Sequence, residues 1–361
     1  MVTKLDPTRP VTAAESTGDT YTGLPGALEV RGWNYNVGTN MDKYHAEHPD
    51  QPELGTEQTT SSGTRGIYNN DGPHGHLSSR RFGMEPMWSY FAERPWLSGA
   101  LIWTGFDYRG EPTPHQWPCI SSQYGILDTC GFPKDNAYYF KAWWTTNPVL
   151  HLMPHWNWPG MEGKEIEVDA FSNCKEVELF LNGRSLGRQT MPFCSHLAWQ
   201  VKYEPGTLSA KGFDAAGKVI AETKVETTGE PAAVGLAPDR SAINADGEDV
   251  SVVAVSVVDT KGRVVPTASN LIHFAISGPG KIIGVGNGDP SCHEPDTFAG
   301  PPPVKVIPIN NWRWQLVKNV MPMRDSVIPE FVSDYNDSAW SELDLKASDS
   351  GVLHEGQSAV Y

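Results

Sequence analysis

Glu57 stands at the end of a short apolar approach, Glu53-Leu54-Gly55-Thr56, and small hydroxyl residues come after it in Thr59-Thr60-Ser61-Ser62. A carboxylate at the C-terminal end of a strand, where the next loop builds a binding site, is placed to act as a nucleophile or as an acid/base. A solvated Glu at a strand end is the plain alternative. Trp33, Trp103 and Trp117 also follow strand-like runs, where an indole face can line a binding site. Nine of the 13 tryptophans fall before residue 160, so Trp88, Trp96, Trp143 and Trp144 read as core and the three strand-end indoles as subsite walls. No metal site is expected. His45, His48, His74, His76 and His115 lack ligand spacing, and His74-Gly75-His76 alone reads as a solvated loop. The five cysteines form no CxxC pair; Cys174 and Cys194 either bridge one β-domain or stay as buried free thiols.

The elements that position these residues change character along the chain. Over 1–150 a helix-like stretch, Met84 to Glu93, precedes the apolar run Leu97 to Trp103. That alternation predicts α/β structure with buried parallel strands. From about 154 the period becomes two, as in Glu165 to Ala170 and Val177 to Leu181, with Asn182-Gly183 as a hairpin turn. This predicts a β-sandwich over 154–229. A second sandwich is expected over 231–300, from the runs Asp249 to Val258 and Leu271 to Ile276 and a turn at Lys261-Gly262. Gly300-Pro301-Pro302-Pro303 reads as a linker. Residues 304–361, with Tyr335 to Trp340, then read as the first strands of a jelly roll that does not close within the sequence.

Four segments resemble glycoside hydrolase family 2, the β-galactosidase and β-glucuronidase family. Asp6-Pro7-Thr8-Arg9-Pro10-Val11-Thr12 is similar to the segment near the family's fifth barrel strand, and Val30 to Asn36 looks like its sixth strand. Leu97 to Pro112, extended by Trp117-Pro118, Tyr124 to Asp128, Gly131 to Asp135 and Tyr138-Tyr139, is similar to the eighth strand and its loop. The motif Gly55-Thr56-Glu57-Gln58-Thr59-Thr60 resembles the nucleophile region. The resemblance implies the C-terminal half of a TIM (β/α)8 barrel followed by immunoglobulin-like β-sandwich domains. It makes Glu57 the nucleophile of a retaining hydrolase. Tyr35 would orient Glu57, with a packed aromatic as the competing reading. Asn34, Trp33, Trp103, Asp107 and Trp117 would bind the sugar, although Asp107 serves equally well to tie down its own loop. No cofactor is implied.

The same resemblance puts the family's acid/base in an Asn-Glu pair ahead of the Asp6 segment, and this sequence contains no Asn-Glu pair. The expectation is therefore a C-terminal part of a larger enzyme, with little turnover alone and with strand edges that favour self-association as a homo-oligomer. A carbohydrate-binding or cell-surface module of tandem sandwiches, without catalysis, is the alternative. The implied partner is a β-linked oligosaccharide or polysaccharide. Arg65 is the lone nearby cation that a glucuronic acid carboxylate would want, which favours a neutral sugar. A net charge of −15 argues against nucleic acid and anionic membranes. No apolar run of about 18 residues appears. Met1 to Pro7 lacks the apolar core of a signal peptide, whereas extra sandwiches suit an exported bacterial enzyme.

Overall fold

The computed structural model describes residues 2–16, 23–35, 38–61, 63–68, 83–113 and 115–297, and the strands within 312–317, 341–343 and 358–360. The chain divides into two units, Met1–Phe298 and Ala299–Tyr361.

The first unit opens with two one-turn helices, α1 (Val2–Leu5) and α2 (Leu24–Ala27), and then alternates strand and helix. Strands β1 (Arg31–Asn34), β2 (Glu53–Gln58) and β3 (Leu97–Ile102) form a parallel sheet in the order β1-β2-β3. Helix α3 (Thr39–Glu47) joins β1 to β2, and α4 (Met84–Ala92) precedes β3. In α4 the buried Met84, Met87 and Phe91 recur at i, i+3 and i+7, the stripe by which a helix covers a sheet. Two glycines permit the close approach. A Cβ on Gly32 would lie 2.0 Å from the Ala13 carbonyl oxygen, and one on Gly55 would lie 2.7 Å from the Phe91 ring. The core beneath the sheet gathers Trp33, Met41, Tyr44, Met84, Phe91 and Leu97.

Helix α5 (Asp135–Trp144) carries this core into an antiparallel region. Here β4 (Leu150–Met153), β5 (Glu165–Ser172) and β8 (Leu197–Lys202) form one sheet. The other has the order β10-β9-β6-β7, from β6 (Glu176–Leu181), β7 (Arg184–Thr190), β9 (Thr207–Phe213) and β10 (Val219–Glu226). Strict alternation explains the layering, since every second residue of β8 is buried. Trp156, Val168, Leu179, Trp199 and Leu208 meet in the core. Asn182 and Gly183, at φ 51° and 81°, make the two-residue turn between β6 and β7 that matches strand twist. Cys174 and Cys194 are buried free thiols, so the bridged alternative is not realised.

Beyond the sandwich, β11 (Ala233–Pro238) pairs antiparallel with β12 (Val253–Val258). The expected turn at Lys261-Gly262 is present, with the Gly262 amide donating to the Asp259 carbonyl. The strand expected over Leu271 to Ile276 is not. Leu271 and Ile276 stand exposed, and without a buried face the alternating pattern has nothing to pack against. Isolated bridges, such as Gly284 with Thr297, structure the segment up to residue 297.

In the second unit β13 (Trp312–Val317) pairs antiparallel with β14 (Ser341–Leu343) and β15 (Ser358–Val360). The Tyr335 to Trp340 stretch lies outside the described residues.

Candidate active site

Three consecutive strand ends of the parallel sheet meet at one place. Asn34 closes β1, Glu57 lies one residue before the end of β2, and Trp103 follows β3. Asn34 pairs in register with Glu57 across a bulge. Its Nδ2 donates to Glu57 Oε2 at 3.1 Å, and Thr56 Oγ1 donates to Asn34 Oδ1 at 2.9 Å, which fixes the amide's orientation. The Trp103 amide donates to the carbonyls of Gln58 and Thr59, both at 3.2 Å. Gln58 in turn donates through Nε2 to the carbonyls of Trp33 and Tyr35. The three strand ends are thus stitched together by side chains as well as by the ladder.

Tyr35 turns out of β1 at φ 56°, a conformation that costs energy for a non-glycine residue and persists where contacts enforce it. Its amide donates to the Glu57 carbonyl at 2.7 Å, and its phenol donates to the Glu57 carboxylate. Burial, and then that bond, push the phenol up to about 12. Tyr35 therefore holds its proton across the neutral range and remains a donor. It is 43% exposed, so it lies at the surface rather than in a packed core.

Trp103 is 38% exposed. Its Nε1 donates to the Tyr108 hydroxyl at 3.1 Å, and Tyr108 donates to Glu111. Burial and the Glu111 bond raise Tyr108 to about 12. Tyr35 lies within electrostatic reach of the Glu57 carboxylate and of the Tyr124 and Tyr108 hydroxyls, and Tyr124 within reach of Glu111. The three phenols, two carboxylates and Trp103 form one connected polar cluster. Sequence reading does not assign Tyr108, Tyr124 or Glu111 to the site; the spacing of Tyr108 from Trp103, five residues along one loop, is the available signal.

Two expected sugar contacts stand elsewhere. Trp33 is fully buried: its Nε1 donates to Glu53 at 2.7 Å, and the Arg31 guanidinium covers its ring at 4.2 Å. Alternation along β1 puts it on the face opposite Asn34, so it cannot line a subsite. Asp107 is also buried. Its Oδ1 accepts from Lys134 Nζ at 2.8 Å and from the Gly125 amide at 2.9 Å. Of its two sequence readings, the structure favours the loop tie. Burial raises Asp107 to about 6 against the opposing pull of Lys134, and burial likewise lowers Lys134. Trp117 is 78% exposed, on the loop after β3.

Among the described residues no group of three or more His, Cys, Asp or Glu is arranged to hold a metal ion, and no helix is long and apolar enough to cross a membrane. His74 and His76 lie outside the described residues.

Comparison with known proteins bears on this cluster and on the β-domains beyond it. Residues 234–300 match glycoside hydrolase family 2 C-terminal domain 5, and residues 163–221 match a domain of unknown function, DUF4982. The chain is 41% identical over 317 residues to the β-galactosidase BoGH2A of Bacteroides ovatus, covering 80% of this chain and 37% of that protein. A β-glucuronidase of Formosa agariphila is 30% identical over 266 residues, covering 67% of this chain and 26% of its own. The chain thus spans little more than a third of these relatives' length at most. The crystal structure of a β-glycosidase from Bacteroides vulgatus aligns with a TM-score of 0.72 at 31% identity, over 80% of this chain and 41% of that one. Sequence and fold similarity over four-fifths of the residues, together with a match to the family's own C-terminal domain, carry one conclusion: the chain belongs to glycoside hydrolase family 2.

Proposed function

We propose that the chain carries the nucleophile half of a retaining β-glycosidase of β-galactosidase type, acting on terminal β-linked sugars. The parallel sheet is then three strands of a (β/α)8 barrel, whose C-terminal strand ends build the site. The observation that supports this best is Glu57 gripped by Asn34 and the Tyr35 phenol at the junction of three strand ends.

Glu57 attacks the anomeric carbon and displaces the leaving oxygen, giving a covalent glycosyl-enzyme that water then hydrolyses. The Tyr35 and Asn34 donors aim the attacking oxygen and disperse its charge before attack. Trp103 offers an indole face to the bound sugar. The leaving oxygen must take a proton from a second carboxylate about 5–5.5 Å from the nucleophile. No Glu of this chain stands in the Asn-Glu pair that the family resemblance assigns to that task. Acid/base assistance contributes about 10² to 10⁴ in rate, so turnover of ordinary glycosides by the 361-residue chain is expected to be low.

A substrate whose leaving group needs no proton separates the two roles. Incubation with 2-deoxy-2-fluoro-β-galactosyl fluoride should add one sugar mass, and peptide mapping should place it on Glu57. The Glu57→Gln variant should stay unlabelled. Labelling at another residue, or equal labelling of the variant, would remove Glu57 as nucleophile.

A further inference from the structure

The loop after β3 folds back on itself, and a segment far along the chain clamps it. Tyr108 to Gly110 run antiparallel to Ile120 to Ser122. The Ser122 amide donates to the Tyr108 carbonyl at 2.7 Å, the Gly110 amide donates to the Ile120 carbonyl at 2.9 Å, and Arg109 bridges Ser121. The base of this hairpin is Tyr108, bonded to Trp103 in the Glu57 cluster. Its outer part carries Trp117. Within that outer part the Cys119 amide donates to the Gln116 carbonyl at 3.0 Å, and residues 287–296 add contacts from outside.

The Pro290 carbonyl accepts from the amides of Ile120 and Ser121 at 2.9 and 3.2 Å. Asp296 takes the Arg109 guanidinium in two bonds, 2.8 and 3.3 Å. Thr129 donates to the Asn287 carbonyl at 3.1 Å. The fit is close, since a Cβ on Gly288 would fall 2.2 Å from an Asp128 carboxylate oxygen. At the outer end His293 Nε2 donates to the Pro118 carbonyl at 2.6 Å, and its ring meets the Trp117 indole edge-on, with centroids 4.6 Å apart and planes at 84°. An exposed tryptophan held in one orientation by a histidine from another part of the chain keeps an open aromatic face at low entropic cost.

We propose that residues 287–296 complete the sugar site: Trp117 forms an outer subsite for the leaving-group side of a β-linked oligosaccharide, and His293 and Asp296 are its positioning residues. This rests on the glycosidase reading and deepens it, because it makes the substrate a chain of sugars rather than a lone glycoside. The open, uncharged indole face of Trp117 suits an uncharged pyranose.

The test compares the unaltered chain with His293→Ala, His293→Phe and Asp296→Asn. Tryptophan fluorescence is titrated with β-1,4-galactotetraose and with methyl β-galactoside, and hydrogen exchange is followed in peptides covering 108–122. His293→Ala is expected to weaken tetraose binding about threefold to tenfold and to leave the monosaccharide unchanged. His293→Phe, which keeps a ring against Trp117, should recover part of the loss. Asp296→Asn should speed exchange in the hairpin. Equal weakening for both sugars, or unchanged affinity in His293→Ala, would overturn the outer subsite. If the unaltered chain binds neither sugar but is still labelled on Glu57 by the fluorosugar, the outer subsite falls and the glycosidase reading stands; binding neither sugar and remaining unlabelled overturns both. Sugar binding with unchanged hairpin exchange in Asp296→Asn overturns the clamp alone.

Discussion

Glu57 and Trp33 occupy comparable strand-end positions in the sequence, yet one faces the site and the other the core. The difference is a single step of alternation along β1. Asn34 points to Glu57, so Trp33 must point away, onto Glu53 and Arg31. Glu57 taken alone reads as readily as a solvated strand-end carboxylate, and only the family resemblance of the segments around it singles it out as a nucleophile. The face of Trp33 was not legible, because strand boundaries are uncertain by more than the one residue that decides it. Tyr35→Phe removes the phenolic donor but keeps the ring, and labelling by the fluorosugar is expected to slow about 100- to 1,000-fold, the scale of a lost oxyanion-type donor. Because Tyr35 is pushed up to about 12, the labelling rate should show no alkaline fall from its deprotonation below about pH 10; a limb that vanishes in the Phe variant would contradict this. Asp107 and Lys134 are both buried and bonded to each other. Removing one leaves the other unpaired, so Asp107→Ala should cost about 3–5 kcal/mol in urea unfolding. Adding Lys134→Met should restore part of that loss.

At the scale of elements, the predicted alternation of strand and helix, the period-two region and the Asn182-Gly183 turn all have counterparts in the structure. The Leu271 to Ile276 run does not, because an alternating pattern specifies a strand only where a partner covers its apolar face. What sequence reading could not supply was the joint between the parallel sheet and the sandwich. Helix α5 supplies Tyr139, whose hydroxyl donates to the Cys194 carbonyl at 2.8 Å. Helix α4 supplies Glu85, which meets His196 at 2.6 Å and accepts from Ser195 at 3.1 Å. Burial pulls His196 down, but the bond to Glu85 and the charges of Glu85, Asp169 and Glu167 together raise it. A histidine raised in the folded state contributes stability fully below its unfolded value near about 6.5, and that contribution is lost as pH rises through the folded value. Melting temperature should therefore fall from about pH 6.5 upward by more in the unaltered chain than in His196→Gln. Parallel curves for the two would show that the joint does not titrate.

At the scale of the whole chain, the open sheet and the distant clamp set the behaviour. Among the described residues β1 and β3 each pair on one side only, and unpaired edges of parallel strands seek partners. Sedimentation velocity at rising protein concentration is expected to show association, and a concentration-independent monomer would mean that the edges are covered by other means. Arg109 and Asp296 touch across 187 positions of sequence. Translation proceeds at about 5–20 residues per second, so the hairpin beside Glu57 emerges roughly 10 to 40 s before the segment that clamps it. Through that interval the hairpin that carries Trp117 is without the residues that hold it, so its outer part is fixed only after His293 and Asp296 have been made.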